Sequence, residues 1–202
     1  MPTKDEIVII SVGGSLIVPD EIDTLFLKSF RELILKQVKI GRRFAIISGG
    51  GKLARRYQEA ARSLASLNDT DTDWIGIHAT RLNAHLLRTL FIDVALPRII
   101  KDPTEPIAFS HRVLIAAGWK PGCSTDYDAV LLAKNLSSNK LINLTNIDYV
   151  YDKDPKMYND ASPQKELSWD SLRSLLPKEW SPGLNAPFDP IAAKEAQTQG
   201  IE

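Results

Sequence analysis

Apolar residues along this 202-residue chain follow two periods that take turns. Short apolar runs rich in β-branched residues, Ile7 to Val12, Phe44 to Ile47, Arg112 to Ala117 and Lys140 to Asn146, read as strands. The lack of polar alternation in the first two is what a parallel sheet covered on both faces requires. Between them, apolar residues recur at helical spacing. Glu21 to Val38 carries Leu25, Phe26, Phe30, Leu33, Ile34 and Val38 and is stopped by Gly41. Lys52 to Leu64 is a second helix-forming run, and Trp74 to Phe91 a third, with Ile77, Leu82, Leu86, Leu87 and Leu90 as its core face. Shorter helices are predicted over Tyr127 to Leu136, Trp169 to Leu176 and Ile191 to Gln199, the last closed by Gly200. Arg98 to Ile100 reads as a short strand or loop, Tyr151 to Pro163 as a polar loop and Pro177 to Pro190 as an irregular lobe. Strands alternating with helices predict an α/β fold, a three-layer α/β/α sandwich around a mostly parallel central sheet.

In such sheets ligands sit at the carboxyl ends of the strands. Three predicted strands end there in glycine-bearing loops: Gly13-Gly14-Ser15, Gly49-Gly50-Gly51-Lys52 and Gly118 through Asp126. Glycine lets backbone approach an anion closely, and a helix start offers unpaired N–H groups at a positive dipole end. Lys52, Arg55 and Arg56 add cations in a first turn where the dipole alone favours carboxylates, which suggests an anionic ligand. A plain strand-to-helix turn with solvated basic residues fits the same stretch. No loop matches a P-loop or a dinucleotide-binding glycine pattern.

Composition narrows the partners. Lys+Arg and Asp+Glu both number 25, so no global basic excess points to nucleic acid. The single cysteine, Cys123, excludes an internal disulfide and fits a reducing compartment. A polar N-terminus and the absence of an apolar run near the ~20 residues of a membrane helix lead to the expectation of a cytoplasmic protein without membrane partners. His78 and His85 lack matching ligands for a metal, and Cys123 lacks a nearby base for a nucleophile's role. Asp69, Asp71 and Asp73 lack the glycine and closing glutamate of a calcium loop.

Taken together the loops resemble the amino acid kinase superfamily, and within it the archaeal-type uridylate (UMP) kinases. The motifs that carry the resemblance run in the family's order: Gly13-Gly14-Ser15-Leu16, Gly49 to Arg55, Asp73-Trp74-Ile75-Gly76-Ile77 with Thr80-Arg81-Leu82-Asn83-Ala84, Pro121 to Asp126, and Thr145-Asn146-Ile147-Asp148-Tyr149-Val150-Tyr151 with Asp154-Pro155. Asp189-Pro190-Ile191-Ala192-Ala193-Lys194 matches a further helix start. The resemblance implies transfer of a phosphoryl group from ATP to UMP with Mg²⁺, for pyrimidine nucleotide synthesis, by a single domain over 1–202. Its N-lobe, about 1–135, would bind the acceptor and its C-lobe, about 136–202, ATP. It further implies Asp189, Arg55 and Lys52 as catalytic groups, and Gly13, Gly14, Ser15, Gly51, Arg55, Thr145, Asn146, Tyr151 and Asp154 on the ATP side. Gly50, Asp73, Trp119, Lys120, Pro121, Gly122, Cys123, Ser124 and Thr125 would hold UMP, with Asp73 at its helix start also suited to capping. No residue is assigned to the metal, and a homohexamer built on the N-lobe helices is implied.

The chain departs from the pattern at three positions. Ser11 stands where many superfamily members place a lysine, Tyr149 where a glycine is usual and Trp119 where a threonine is usual. Lys52 or Lys194 could supply the missing charge. Relatives also continue past Gly200-Ile201 into a further strand, so a C-lobe truncated at that end, with weak stability or activity, is the expectation. Two other readings stand beside the UMP kinase: a related small-molecule kinase of the isopentenyl phosphate, acetylglutamate or carbamate type, and a catalytically weak nucleotide-binding relative. The isopentenyl phosphate type usually has a histidine shortly after its glycine loop, which Lys52-Leu53-Ala54 lacks.

Overall fold

A computed structural model describes residues 6–155, 157–177 and 186–202, so most of the proline-rich stretch after Pro177 lies outside the described residues. In chain order the elements are β1 (Ile7–Val12), α1 (Gly14–Ile17), α2 (Thr24–Lys39), β2 (Arg43–Ser48), α3 (Gly51–Leu64), α4 (Asp69–Leu90), β3 (Ala95–Ile100), β4 (Val113–Ala116), α5 (Thr125–Asn135), β5 (Leu141–Leu144), β6 (Val150–Tyr151), β7 (Pro163–Gln164), α6 (Trp169–Leu175) and α7 (Pro190–Gln199). Five strands form one sheet in the order β3-β4-β2-β1-β5, with every neighbouring pair parallel. The hairpin β6-β7 stands apart from it.

Each unbroken strand serves two cores, because successive side chains leave opposite faces. Val8, Ile10 and Val12 join Phe44, Ile46, Val113 and Ile115 under α2 and α4, where Leu27, Phe30, Ile34 and Leu87 pack on them. Ile9, Ala45, Ile47, Leu114 and Ala116 face the other way, onto Ala129, Leu132 and Ala133 of α5 and Ala192, Ala193 and Ala196 of α7. Burial of each large aliphatic side chain stabilises the fold by ~1.5–3 kcal/mol. The three-layer sandwich read from the sequence is the architecture observed.

Several local readings shift. In α2 the buried stripe is Leu27, Phe30 and Ile34, while Leu25 and Leu33 are exposed. Apolar residues occupy two faces of that helix, so spacing alone could not choose between them. In α4, Leu82 likewise points outward. That helix begins at Asp69, before the expected start at Trp74, because the Asn68 side chain accepts the Asp71 N–H at 2.7 Å and caps it. Asp69 and Asp71 then fall in the first turn, where the dipole favours them. Arg98 to Ile100 is the end of β3, an edge strand in which Pro97 is tolerated.

Candidate active site

Because β1, β2 and β4 are parallel neighbours, their carboxyl ends share one sheet edge, and the three glycine-bearing loops leave from it. The first two interlock. A Cβ on Gly14 would collide with the backbone of Gly49 to Gly51, and one on Gly51, whose φ is +60°, would collide with Gly14 and Ser15. Only glycine permits that contact and that backbone conformation. The helices that start there, α1 and α3, have no side-chain cap and no acidic residue in the first turn. Every other described helix, α2, α4, α5, α6 and α7, is capped by Asp23, Asn68, Ser124, Ser168 or Asp189. Two neighbouring helix starts are therefore left with N–H groups that an anion can take.

A cavity opens beside this cradle, lined by Gly50, Gly51 and Arg55 on one side and by Asp73, Gly118, Cys123, Ser124, Thr125, Asp126 and Asp189 on the others. Arg55 reaches back to donate to Ser15 Oγ at 3.2 Å. Of the basic residues after the triplet, it is the one that lines the cavity; Lys52 and Arg56 turn instead to Asp20, at 3.2 and 2.9 Å. Asp73 lies inside α4 rather than at its start, so it does not cap the helix. Its Oδ2 accepts the Gly122 N–H at 2.8 Å, and burial raises its pKa. Ser124 caps α5 by accepting the Tyr127 N–H, and Asp189 caps α7 by accepting the N–H groups of Ile191 and Ala192. Burial pushes the Cys123 thiol up to about 11, which removes it as a nucleophile at neutral pH.

Buried polar groups that sequence reasoning left without a role support the site. Asn83 donates to the Gly49 carbonyl at 2.9 Å, Ser48 to the Thr80 carbonyl at 2.9 Å, and Gln58 to the Thr72 carbonyl at 3.0 Å. Thr72, Thr80 and Asn83 are buried on α4, a polar stripe on an otherwise apolar face that helical spacing could have flagged. On the opposite wall, Asp126 accepts from Ser11 Oγ and from the Asp189 N–H, both at 3.2 Å. Burial, opposed by the Ser11 hydrogen bond and reinforced by Asp189, pushes its carboxyl up to about 6. Ser11 thus meets a carboxyl that has no cation bonded to it among the described residues.

Trp119, Lys120, Pro121 and Gly122 do not line the cavity; they arch between two segments, Gly118 and Cys123 to Asp126, that do. The Lys120 ammonium lies 3.8 Å from the centre of the Trp119 ring. A second cavity, lined by Leu141, Thr145, Ile147, Tyr149, Trp169 and Leu172 among others, shares Phe188 with the first. Thr145 follows Leu144, whose carbonyl accepts the Gly13 N–H at 2.8 Å, so the second cavity begins beside the cradle. Asn146, Tyr151 and Asp154 do not line it. Tyr151 is in the hairpin, and the Asp154 carbonyl accepts from Met157 and Tyr158. Lys194 is exposed on α7 and lines neither cavity.

This geometry can be set against known proteins. A curated uridylate kinase of Thermococcus kodakarensis is 35% identical over 96% of this chain and 87% of its own. One from Methanocorpusculum labreanum is 37% identical over 96% of this chain and 83% of its own. The crystal structure of uridylate kinase from Archaeoglobus fulgidus superposes with a TM-score of 0.80 at 36% identity, covering 96% of this chain and 87% of that one. The model of the amino acid kinase family matches residues 6–202, and the chain belongs to that family.

Proposed function

We propose that this chain is a uridylate kinase, transferring the γ-phosphoryl group of ATP to UMP. The observation that carries the reading is the interlocked pair of uncapped helix starts, α1 and α3, beside the first cavity and joined through the Gly13–Leu144 hydrogen bond to the strand that leads into the second. A phosphoryl group passing between two anionic phosphates needs both held in line and their charge neutralised, with little covalent help. A UMP phosphate oxygen attacks the γ-phosphorus, the bond from that phosphorus to the β–γ bridging oxygen breaks, and ADP leaves.

On this reading UMP takes the first cavity, with its phosphate at Gly50 and its sugar hydroxyls on Asp73, under the arch 119–122 and the hydroxyls of Ser124 and Thr125. ATP takes the second, with Thr145 in its wall and its phosphates reaching out to Gly13, Gly14, Ser15, Gly51 and Arg55; Asn146, Tyr151 and Asp154 lie outside that wall and are assigned no contact with ATP. Asp189, in the wall of the first cavity next to the shared Phe188, orders the α7 start near the transferred group. With Ser11 in place of a lysine and Lys52 tied to Asp20, the positive charge at that group falls to Arg55 and the helix ends. Among the described residues no group of three His, Cys, Asp or Glu side chains is placed to hold a metal. Magnesium commonly binds mainly through substrate phosphates, so the ion enters with ATP.

The outer faces of α3 and α4 leave Tyr57, Leu64, Trp74 and Leu82 exposed, which supports self-association through these helices. No helix of the described residues is long and apolar enough to cross a membrane. Release of ADP in a coupled assay with UMP, CMP, acetylglutamate and isopentenyl phosphate tests the function. UMP should exceed each of the others in kcat/KM by at least about tenfold. Faster turnover of another acceptor, or nucleotide binding without turnover, would overturn it.

A further inference from the structure

The arch between β4 and α5 is held from behind by side chains of two helices. Thr80 Oγ1 accepts the Gly118 N–H at 2.8 Å. Asp128 Oδ2, on α5, accepts the Trp119 N–H at 3.0 Å. Arg81 Nη2, on α4, donates to the Trp119 carbonyl at 3.1 Å and to that of Gly118 at 3.4 Å. Trp119 is therefore gripped at its N–H by a carboxyl and at its carbonyl by a guanidinium. Asp73 holds the far end of the arch through the Gly122 N–H.

Asp128 is an unusual holder. It is fully buried, and its Oδ1 has no hydrogen-bond partner among the described residues. It forms no ion pair among the described residues. Its neighbours Ala129, Val130 and Leu132 belong to the core under α5 and α7. A carboxyl in such a place costs stability that an apolar side chain of similar size would not. Packing alone gives no reason for an aspartate there, whereas the Trp119 N–H does.

We infer that Asp128 is a positioning residue for the phosphate acceptor: by gripping the Trp119 peptide it holds the arch 119–122 in the conformation that receives UMP. The inference rests on the uridylate kinase reading and on that arch serving the acceptor.

The protonation state of Asp128 tunes the grip. Burial pushes its carboxyl up to about 7. The Trp119 N–H opposes that shift, Asp102 beyond β3 adds to it, Lys120 in the arch opposes it and Asp126 on α5 adds to it. A carboxylate accepts a hydrogen bond more strongly than the neutral acid. With a raised pKa, the charged grip is present above about pH 7 and fades below it. Asp126 also titrates near the cavity, so the informative quantity is the difference between the parent chain and variants at Asp128.

The test measures KM for UMP, KM for ATP, kcat and thermal midpoint from about pH 6 to about pH 8.5 for the parent chain, Asp128→Val and Asp128→Asn. Loss of a hydrogen bond to a charged group is worth about tenfold. Asp128→Val should therefore raise KM for UMP by about that factor at the alkaline end, leaving KM for ATP and kcat within about twofold. Its thermal midpoint should hold or rise, a split that a merely structural role would not produce. Asp128→Asn keeps an acceptor but cannot titrate, so the dependence of UMP KM on pH should flatten. An unchanged UMP KM in the valine variant, or equal rises in both KM values, would overturn the inference. If the valine variant does not fold, a parent-like pH slope in the asparagine variant does the same. Hydrogen exchange over 118–122 reads the grip without turnover and should quicken in either variant; no change there overturns it. Absence of UMP turnover in the parent chain would instead overturn the kinase reading, leaving the exchange result to decide the grip.

Discussion

The two cavities share Phe188 and little else. The first is walled by backbone and polar groups cross-tied through buried hydrogen bonds: Asn83 to Gly49, Ser48 to Thr80, Gln58 to Thr72, Thr80 to Gly118. The second is walled largely by Leu141, Ile147, Tyr149, Trp169 and Leu172, beside an edge strand, β5, that is only partly covered. Its side-chain ties run to the backbone at the periphery, Asn143 to the Pro187 carbonyl at 3.0 Å and the Trp169 indole to the Ile201 carbonyl at 2.8 Å. On the proposed assignment, the difference follows from what each cavity would hold. Phosphate charge is stabilised by donors fixed in advance, because groups that must reorganise lose part of their effect. A nucleotide base is held by flat apolar contact, which tolerates a softer wall. Rigidity is concentrated where the charge is.

The strongest way to break that contrast is at the cradle. Gly51→Ala puts a methyl into the Gly14 and Ser15 backbone and forces a side chain onto a φ of +60°. Overpacking and strain together should cost about 3 kcal/mol, roughly 10 °C in a melt at this chain length. Turnover should fall about 100-fold as the donors move. A melt and activity close to those of the parent chain would show that the glycine contact is incidental. Next comes the charge beside the cradle. Arg55→Ala should lower kcat by about 100-fold, while stability changes by less than about 0.5 kcal/mol, because the bond to Ser15 is exposed. Lys52→Ala is its control. With that ammonium tied to Asp20, kcat should stay within about twofold. Equal losses from the two substitutions would place Lys52 at the reaction and the Asp20 pair outside it.

This contrast also explains which parts were legible beforehand. Ile7 to Val12 and Phe44 to Ile47 announced buried parallel strands because both faces of each had to be apolar, and the glycine triplet announced the cradle because only glycine fits a backbone-to-backbone contact. The outward turn of Leu25, Leu33 and Leu82 was hidden, since each lies beside another apolar stripe on its helix. Lys52 and Arg55 looked alike in the sequence; Asp20, far away in the chain, separates them. Asp126 and Asp128 were read only as part of a loop and its helix. Their significance comes from burial and from Ser11, Asp189 and Trp119, partners that spacing does not reveal. Asp73, singled out in the sequence, does line the first cavity, but its place inside α4 followed from the cap at Asn68.

A milder substitution than those at Gly51 and Arg55 tests the assignment of the two cavities. Tyr149 lines the second and is 43% exposed, so Tyr149→Ala removes aromatic surface without opening the core. An aromatic contact of this kind is worth ~0.5–1.5 kcal/mol, about two- to tenfold in affinity. If ATP occupies this cavity, KM for ATP should rise by that factor while KM for UMP and the thermal midpoint stay near the parent values. Steady-state kinetics with each nucleotide varied at saturating partner separates the terms, because on the proposed assignment the two ligands would meet only at the cradle. A rise in KM for UMP with KM for ATP unchanged would exchange the roles of the cavities. The acceptor would then lie against the soft wall, and the rigidity of the first cavity would have to be explained by the donor's triphosphate instead.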